Sequence, residues 1–362
     1  MEIAVIGGGH GSYAAAADLS DAGHNVRLWR RDGAALADVR ERGGICLKDA
    51  KGERVVPIAK VTDDLSVALA DAELVLLPLP ATAQADVAAR MAPHLRDDQV
   101  VFLTPGTFGT MIFVNALREA GCTAMPIFAE TPTLPWLARK HGHATVAVTA
   151  RTTKLPTGFF PASKTERGMA VVGRAFPEAI AVRDILDVVL LNGGPLIHPP
   201  LILMNAGPIE HFDRWDIHKE GTQPLIRAVH DALDAERVAV REALGYGEPH
   251  WRLSDHYSGD PAKSMYGAMA HDKLTDSGDW SEKLDLRTHR YMREDVQLGL
   301  ALMVSMGEMA GIAMPVAAGL LAIAGAAVGD DFRASGRTLE SLGLGDMGPE
   351  SLKALASTGQ AA

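Results

Sequence analysis

The chain has 362 residues, more than one hydrophobic core ordinarily serves, so two domains are expected and a small stapled module is excluded. Its 47% hydrophobic and 22% charged residues are those of a globular protein, which excludes disorder as the main state. With 35 basic against 45 acidic side chains the net charge of −10 has the wrong sign for a nucleic-acid binder, and two cysteines, Cys46 and Cys122, support neither a disulfide framework nor a cysteine zinc site. Chemistry on small molecules in a reducing cytoplasm is the expectation.

The first apolar run, residues 3–6, is far too short for a secretory signal, so none is expected. Further runs follow at 25–29, 74–77, 100–103, 124–128 and 144–148. They are continuously apolar rather than alternating, the pattern of strands buried on both faces of a parallel sheet. Amphipathic stretches at 12–22 and 82–95 are long enough for the helical crossovers such a sheet requires. Residues 48–53, charged and glycine-containing, read as a surface hairpin between two extended runs.

Directly after residues 3–6 come Gly7-Gly8-Gly9-His10-Gly11-Ser12 and an alanine-rich helical stretch. Strand, glycine turn and helix in this order form a dinucleotide-binding, Rossmann-type element. Gly7 permits the tight turn, Gly9 lets the backbone approach a pyrophosphate, and the helix amino terminus, opening on His10, Gly11 and Ser12, stabilises its charge. Ser12 stands where a third glycine is usual and is small enough to keep helix and strand close. The second strand should end on an acid if the adenosine ribose has a free 2′-hydroxyl; it ends on Arg30 and Arg31. Guanidinium groups suit a 2′-phosphate, so NADP(H) is favoured over NAD(H). The alternative leaves both arginines solvated and gives the ribose to Asp32. Pro78 and Pro80, in the turn after the third strand, would lie along the cofactor.

Past residue 190 the strand signals fade, and residues 225–244, 287–309 and 316–328 have helical periodicity. The expected fold is an α/β Rossmann-type amino-terminal domain, 1–187, followed by an all-α carboxyl-terminal substrate domain, 188–362. The boundary falls where an apolar, strand-like run ends at Asn192-Gly193-Gly194-Pro195. Residues 298–328 are long and apolar, but Glu308, Pro315 and five interspersed glycines favour two close-packed buried helices over a membrane span. Those helices cover the domain's own core or a second copy of the chain, and a homodimer is favoured. His141 and His143 flank Gly142 without a third ligand nearby and read as a polar loop, not a metal site. His211, His218 and His230 fit a helix or turn surface.

The segment Asn192-Gly-Gly-Pro-Leu-Ile-His198-Pro199-Pro200, continued by Leu203-Met-Asn205-Ala206-Gly207-Pro-Ile209-Glu210, resembles the octopine/nopaline (opine) dehydrogenase family. Four more segments are similar in the right order: Glu130-Thr131 with Leu134-Pro135 and Arg139; His218-Lys-Glu220-Gly221-Thr-Gln-Pro224; His289-Arg290-Tyr291-Met-Arg-Glu294-Asp295-Val296; and Gly336-Arg-Thr-Leu-Glu340-Ser-Leu-Gly343-Leu. The resemblance implies reductive condensation of an amino acid's amine with a 2-oxo acid, and its reverse. By the same resemblance His198 is the acid–base group, Asp295 its partner, and Arg290 the grip on a substrate carboxylate. Thr131 and Glu130 take the family's loop between cofactor and substrate, and Asn205 orients the nicotinamide amide or a carboxylate. The residue types suit these tasks. Histidine titrates near neutrality, a carboxylate fixes its tautomer, and a guanidinium fork fits a carboxylate. Met204, Met265, Met269, Met292 and Trp215 fit an apolar amine donor, although ordinary core filling is the simpler account. Two other readings stay open: an alcohol or 2-hydroxy-acid dehydrogenase of the same superfamily, where a lysine such as Lys219 would serve, and a nucleotide-sensing regulator without catalysis.

Overall fold

Five of the six apolar runs take places in one sheet. In a computed structural model, which describes residues 1–257, 260–268, 270–276 and 283–360, its strands lie in the order Ala179–Ala181, Leu155–Phe160, Ile127–Glu130, Val100–Leu103, Leu74–Leu77, Glu2–Ile6, Asn25–Trp29, Lys60–Thr62. Every pairing is parallel except that of Leu155–Phe160 with Ile127–Glu130. Leu74–Leu77 and Val100–Leu103 are buried at every residue, which is why they read as unbroken apolar runs.

The sixth run departs from the expected parallel sheet. Strand Thr145–Arg151 belongs to a second sheet, in the order Gly52–Pro57, Gly44–Asp49, Thr145–Arg151, Trp136–Lys140. Val146 and Val148 are buried while Thr145 and Ala147 are partly exposed. Alanine is too small to mark which face is wet, so an alternating strand looked continuous. The hairpin at 48–53 closes as expected, with Asp49 paired to Gly52 at a φ of 99°.

Helix His10–Asp21 packs on strand Asn25–Trp29 of the large sheet and on Gly44–Asp49 and Trp136–Lys140 of the small one. With both faces covered, only small residues let the layers close up, and Ala14, Ala15, Ala16 and Ala17 are fully buried. Asp18 on this helix accepts from Trp136 Nε1 at 2.7 Å and from the Arg151 guanidinium, which continues to Asp49. These bonds fix the small sheet on the helix that carries the glycine turn.

The chain divides into two compact units, Met1–Val189 and Leu190–Ala362. The strand-like run before the boundary is helical, Ile185–Val189, and buried throughout. Four of its five residues are apolar and the fifth, Asp187, is buried too, so the segment is too short to show a period that tells the two apart. The second unit is helical: Gly194–Met204, Pro224–Ala243, Ala301–Met309, Pro315–Val328 and Pro349–Thr358, with Tyr291–Leu300 wound in wider π-type turns. Residues 298–328 form two helices as expected, with Gly307 against Met314 at their junction. Glu236 on the long helix caps the second of them, accepting from Val316 N at 2.7 Å and Ala317 N at 3.0 Å.

Arg237 and Arg241 are the largest fully buried side chains among the described residues of this unit. The Arg237 guanidinium donates to Asp234 Oδ1 at 2.7 Å, Leu190 O at 2.8 Å and His250 O at 2.8 Å. Arg237→Met leaves the Asp234 carboxylate buried without its partner, and a loss of about 3–5 kcal/mol is expected. A lowered urea midpoint for the second unit is the measurement; an unchanged midpoint refutes this account.

Candidate active site

Two glycines let the catalytic candidates of the second unit meet. A Cβ at Gly194 would overlap Asp295 Oδ1, and one at Gly299 would overlap Pro195. Helix Gly194–Met204 therefore lies directly against Tyr291–Leu300, and His198 Nδ1 stands 2.8 Å from Asp295 Oδ2 across 97 positions of sequence. The imidazole is stacked on Tyr291, centroids 3.9 Å apart and planes 19° from parallel, with the His218 ring edge-on at 5.8 Å. Pro199 and Pro200 follow inside the helix and lack the N–H groups that would bond the carbonyls one turn back. The carbonyl of Ile197 meets His230 Nε2 at 3.0 Å.

Only 14% of the His198 side chain and 10% of the Asp295 side chain is exposed. Burial pushes the imidazole well below its ordinary pKa, and the positive charges of Arg290 and His230 add to this. Burial pushes the Asp295 carboxyl up, to about 7, against the opposing pull of Arg290 and His289. The pair therefore takes up its second proton as a unit, with one apparent pKa belonging to both groups. In the one-proton form Nδ1–H donates to Asp295, and Nε2 has no hydrogen-bond partner among the described residues.

Arg290 lies near this dyad and is half-exposed, its Nη1 3.8 Å from Glu294 Oε2 and its guanidinium 5.0 Å from the Tyr291 ring centroid. The contact with Glu294 is too long for a bidentate lock. Asn205, expected at the nicotinamide or a carboxylate, is engaged otherwise. Its Nδ2 donates to Leu201 O at 2.8 Å and Gly221 O at 3.1 Å, and its Oδ1 accepts from Trp215 Nε1. Asn205 thus fastens the turn that carries His218. His218 and His230, read from sequence as surface residues, are buried beside His198, whereas His211 is exposed as expected. Tyr291 was missed although it stands four residues before Asp295, a spacing that places two helical residues on one face. Lys219 is exposed, and of the methionines Met292 is buried and Met204 half-exposed. Met269 lies outside the described residues.

In the first unit, Gly7 has a φ of 129°, and a Cβ there would meet Ser12 Oγ and Leu79. Gly9 ends the turn before helix His10–Asp21, and a Cβ there would touch nothing within 4 Å. Gly11 packs on Pro78 and Leu134, and Ser12 Oγ reaches Pro78 O at 3.4 Å. The tight turn with open space at the helix amino terminus fits a dinucleotide pyrophosphate. His10 faces sideways, its Nδ1 accepting from Lys140 N at 2.8 Å. Pro80 is exposed and begins the turn into Ala81–Ala83.

Arg30 and Arg31 part company. The Arg30 side chain lies over the turn, so that a Cβ at Gly8 would overlap its stem. Arg31 pairs with Asp86 at 2.8 Å and lines an open depression with Trp29, Asp63 and Arg90. Asp32 Oδ1 accepts from Ala34 N and Ala35 N, so it caps its own turn. Glu130 is fully buried and accepts from Phe108 N at 2.9 Å and Thr110 N at 2.8 Å, at the start of helix Gly109–Glu119. Thr131 Oγ1 donates to Thr133 O at 2.7 Å. His141 and His143 are exposed, and among the described residues no group of histidine, cysteine and carboxylate side chains is arranged to hold a metal.

Residues 181–328 match the family model for the α-helical domain of NAD/NADP octopine/nopaline dehydrogenase, and residues 3–122 match that for ketopantoate reductase PanE/ApbA. An opine dehydrogenase from Arthrobacter sp. (strain 1C) is 30% identical over 351 residues, 94% of each chain. Vitopine synthase from Allorhizobium ampelinum is 26% identical over 80% of this chain and 79% of its own. Among solved structures, octopine dehydrogenase in complex with NADH and agmatine has a TM-score of 0.73 at 18% identity, covering 99% of this chain and 98% of its own. Yersinopine dehydrogenase with NADP+ bound has a TM-score of 0.64 at 17% identity, with the same coverage.

Proposed function

The chain belongs to the opine dehydrogenase family, whose members are NAD(P)-dependent oxidoreductases, and we propose that it condenses an amino acid with a 2-oxo acid reductively and catalyses the reverse oxidation. The carrying observation is the His198–Asp295 pair at 2.8 Å, with Nε2 unengaged among the described residues. In the condensing direction the doubly protonated pair gives its Nε2 proton to the carbonyl oxygen as the amine nitrogen adds to the oxo carbon; Nε2 then takes a proton from that nitrogen and passes it to the new hydroxyl, which leaves as water as the C=N bond forms. In the reverse direction Nε2 accepts the proton. Asp295 keeps Nδ1 protonated and offsets the charge on the imidazolium. The Arg290 fork, not locked by Glu294, takes a substrate carboxylate. Gly7, Gly9 and the amino terminus of helix His10–Asp21 would hold a nicotinamide cofactor, which would supply the hydride for the C=N carbon. Lys219, the lysine a plain alcohol dehydrogenase would call on here, is exposed, so its position does not favour that reading.

NADP(H) rather than NAD(H) is proposed because Arg30 lies over the turn while Asp32 is used as a cap. Thr131 and Glu130 are proposed to hold the loop at 106–110 in place, and Asn205 to position His218. A reducing cytoplasm fits the free Cys46 and Cys122, and a homodimer fits the exposed Ile323 on helix Pro315–Val328.

The test is cofactor absorbance with a panel of 2-oxo acids and amino acids; turnover that requires both substrates supports the proposal, and oxo-acid reduction without any amine refutes it. The pH dependence follows from the dyad. Oxidation needs the one-proton form, so kcat/KM for oxidation is expected to rise with pH as the second proton leaves and to level off once the pair holds a single proton. A profile flat between pH 5 and 9 would contradict the assignment.

A further inference from the structure

Lys140 ends strand Trp136–Lys140 of the small sheet, and its Nζ lies over the Tyr13 ring, 3.9 Å from the centroid. Its backbone N–H holds the His10 ring at the amino terminus of the helix that carries Tyr13. Tyr13 is fully buried, and burial raises its hydroxyl's pKa against the opposing pull of the Arg30 guanidinium beside it. Arg30 approaches the same place from the end of strand Asn25–Trp29, its stem over Gly8. Lys140 and Arg30 form no ion pair among the described residues, whereas the adjacent Arg31 pairs with Asp86. Burial lowers the Lys140 ammonium below the ordinary lysine value and the positive charge of Arg30 lowers it further, against a weaker opposing pull from Asp38. Two cations that repel each other around one aromatic ring, beside a phosphate-binding turn, are stabilised by a compact anion placed between them.

We propose that Lys140 and Arg30 together form the seat of the cofactor's 2′-phosphate, with the Tyr13 ring as the floor on which the ammonium rests. This rests on the NADP(H) reading and extends it to a residue from a different sheet. Arg30 lies over the turn itself, and Lys140 supplies the second charge that a dianion requires. The Tyr13 ring holds the ammonium stem in place without neutralising it.

The experiment is titration of the full-length protein with NADPH and NADH, followed by tryptophan fluorescence, for the wild type, Lys140→Met and Lys140→Arg. Methionine keeps an unbranched stem over Tyr13 and removes only the charge. Lys140→Met is expected to weaken NADPH about tenfold or more and NADH by less than twofold, and Lys140→Arg to recover most of the loss. Retained NADH affinity is the control that the variant is folded. Equal losses for both cofactors overturn the proposal, since the ammonium would then serve the pyrophosphate or the fold. No loss for either also overturns it. A wild type that binds NADH as tightly as NADPH overturns the NADP(H) reading and the seat with it, and this is read before any variant is made.

Discussion

His198→Ala is expected to lower kcat by about 10²-fold or more in both directions while NADPH affinity stays within about twofold. The expectation separates the two readouts because the glycine turn belongs to the first unit and the imidazole to the second. Among the described residues the two histidines packed near His198 are not placed to replace it. His218 meets the ring edge-on and His230 is bonded to Ile197 O, so neither presents a ring nitrogen where Nε2 of His198 stands. The truncation also removes the ring stacked on Tyr291, so a second variant, His198→Asn, keeps polarity and part of the volume without a titrating group. Both variants losing turnover with NADPH affinity and thermal midpoint retained supports the acid–base role. Unchanged turnover in either excludes His198 from the chemistry.

Much of the first unit was legible because its physics is local. A strand buried on both faces cannot afford polar residues, and a pyrophosphate needs a glycine at φ 129° followed by a helix amino terminus. Both demands leave marks within a dozen residues. The misreadings fell where the local mark is ambiguous. Strand Thr145–Arg151 alternates, but alanine masks its wet face; Ile185–Val189 is a short helix whose one polar residue, Asp187, is buried with the rest.

The candidate site was legible only in part, for the same reason. His198 and Asp295 could be singled out by their motifs, yet their pairing depends on Gly194 and Gly299, whose small size matters only once the two helices touch. Tyr291 could have been found from its four-residue spacing to Asp295. The burial of His218 and His230, the engagement of Asn205 and the approach of Lys140 to Tyr13 are long-range consequences of packing, and no spacing announces them. Arg30 and Arg31 are adjacent and chemically identical, and only the fold distinguishes the one over the turn from the one paired with Asp86.

Asp295→Asn tests whether the carboxylate, rather than the imidazole alone, sets the chemistry. Asparagine keeps the shape beside Gly194 but can present an N–H to Nδ1, which would drive the ring proton to Nε2 and leave no lone pair there for oxidation. It also removes the negative charge that opposes burial, so the isolated imidazole should titrate lower than the pair does. A loss of about 10³-fold in kcat for oxidation is expected, with the acid limb of the pH profile moved to lower pH. The two effects discriminate between roles. If Asp295 merely braced the helix pair, the rate would fall with the limb in place, and Gly194→Ala, which displaces the carboxylate without removing its charge, would act identically. If the carboxylate fixes the tautomer, Gly194→Ala lowers the rate but leaves the titrating pair recognisable, and only Asp295→Asn moves the limb.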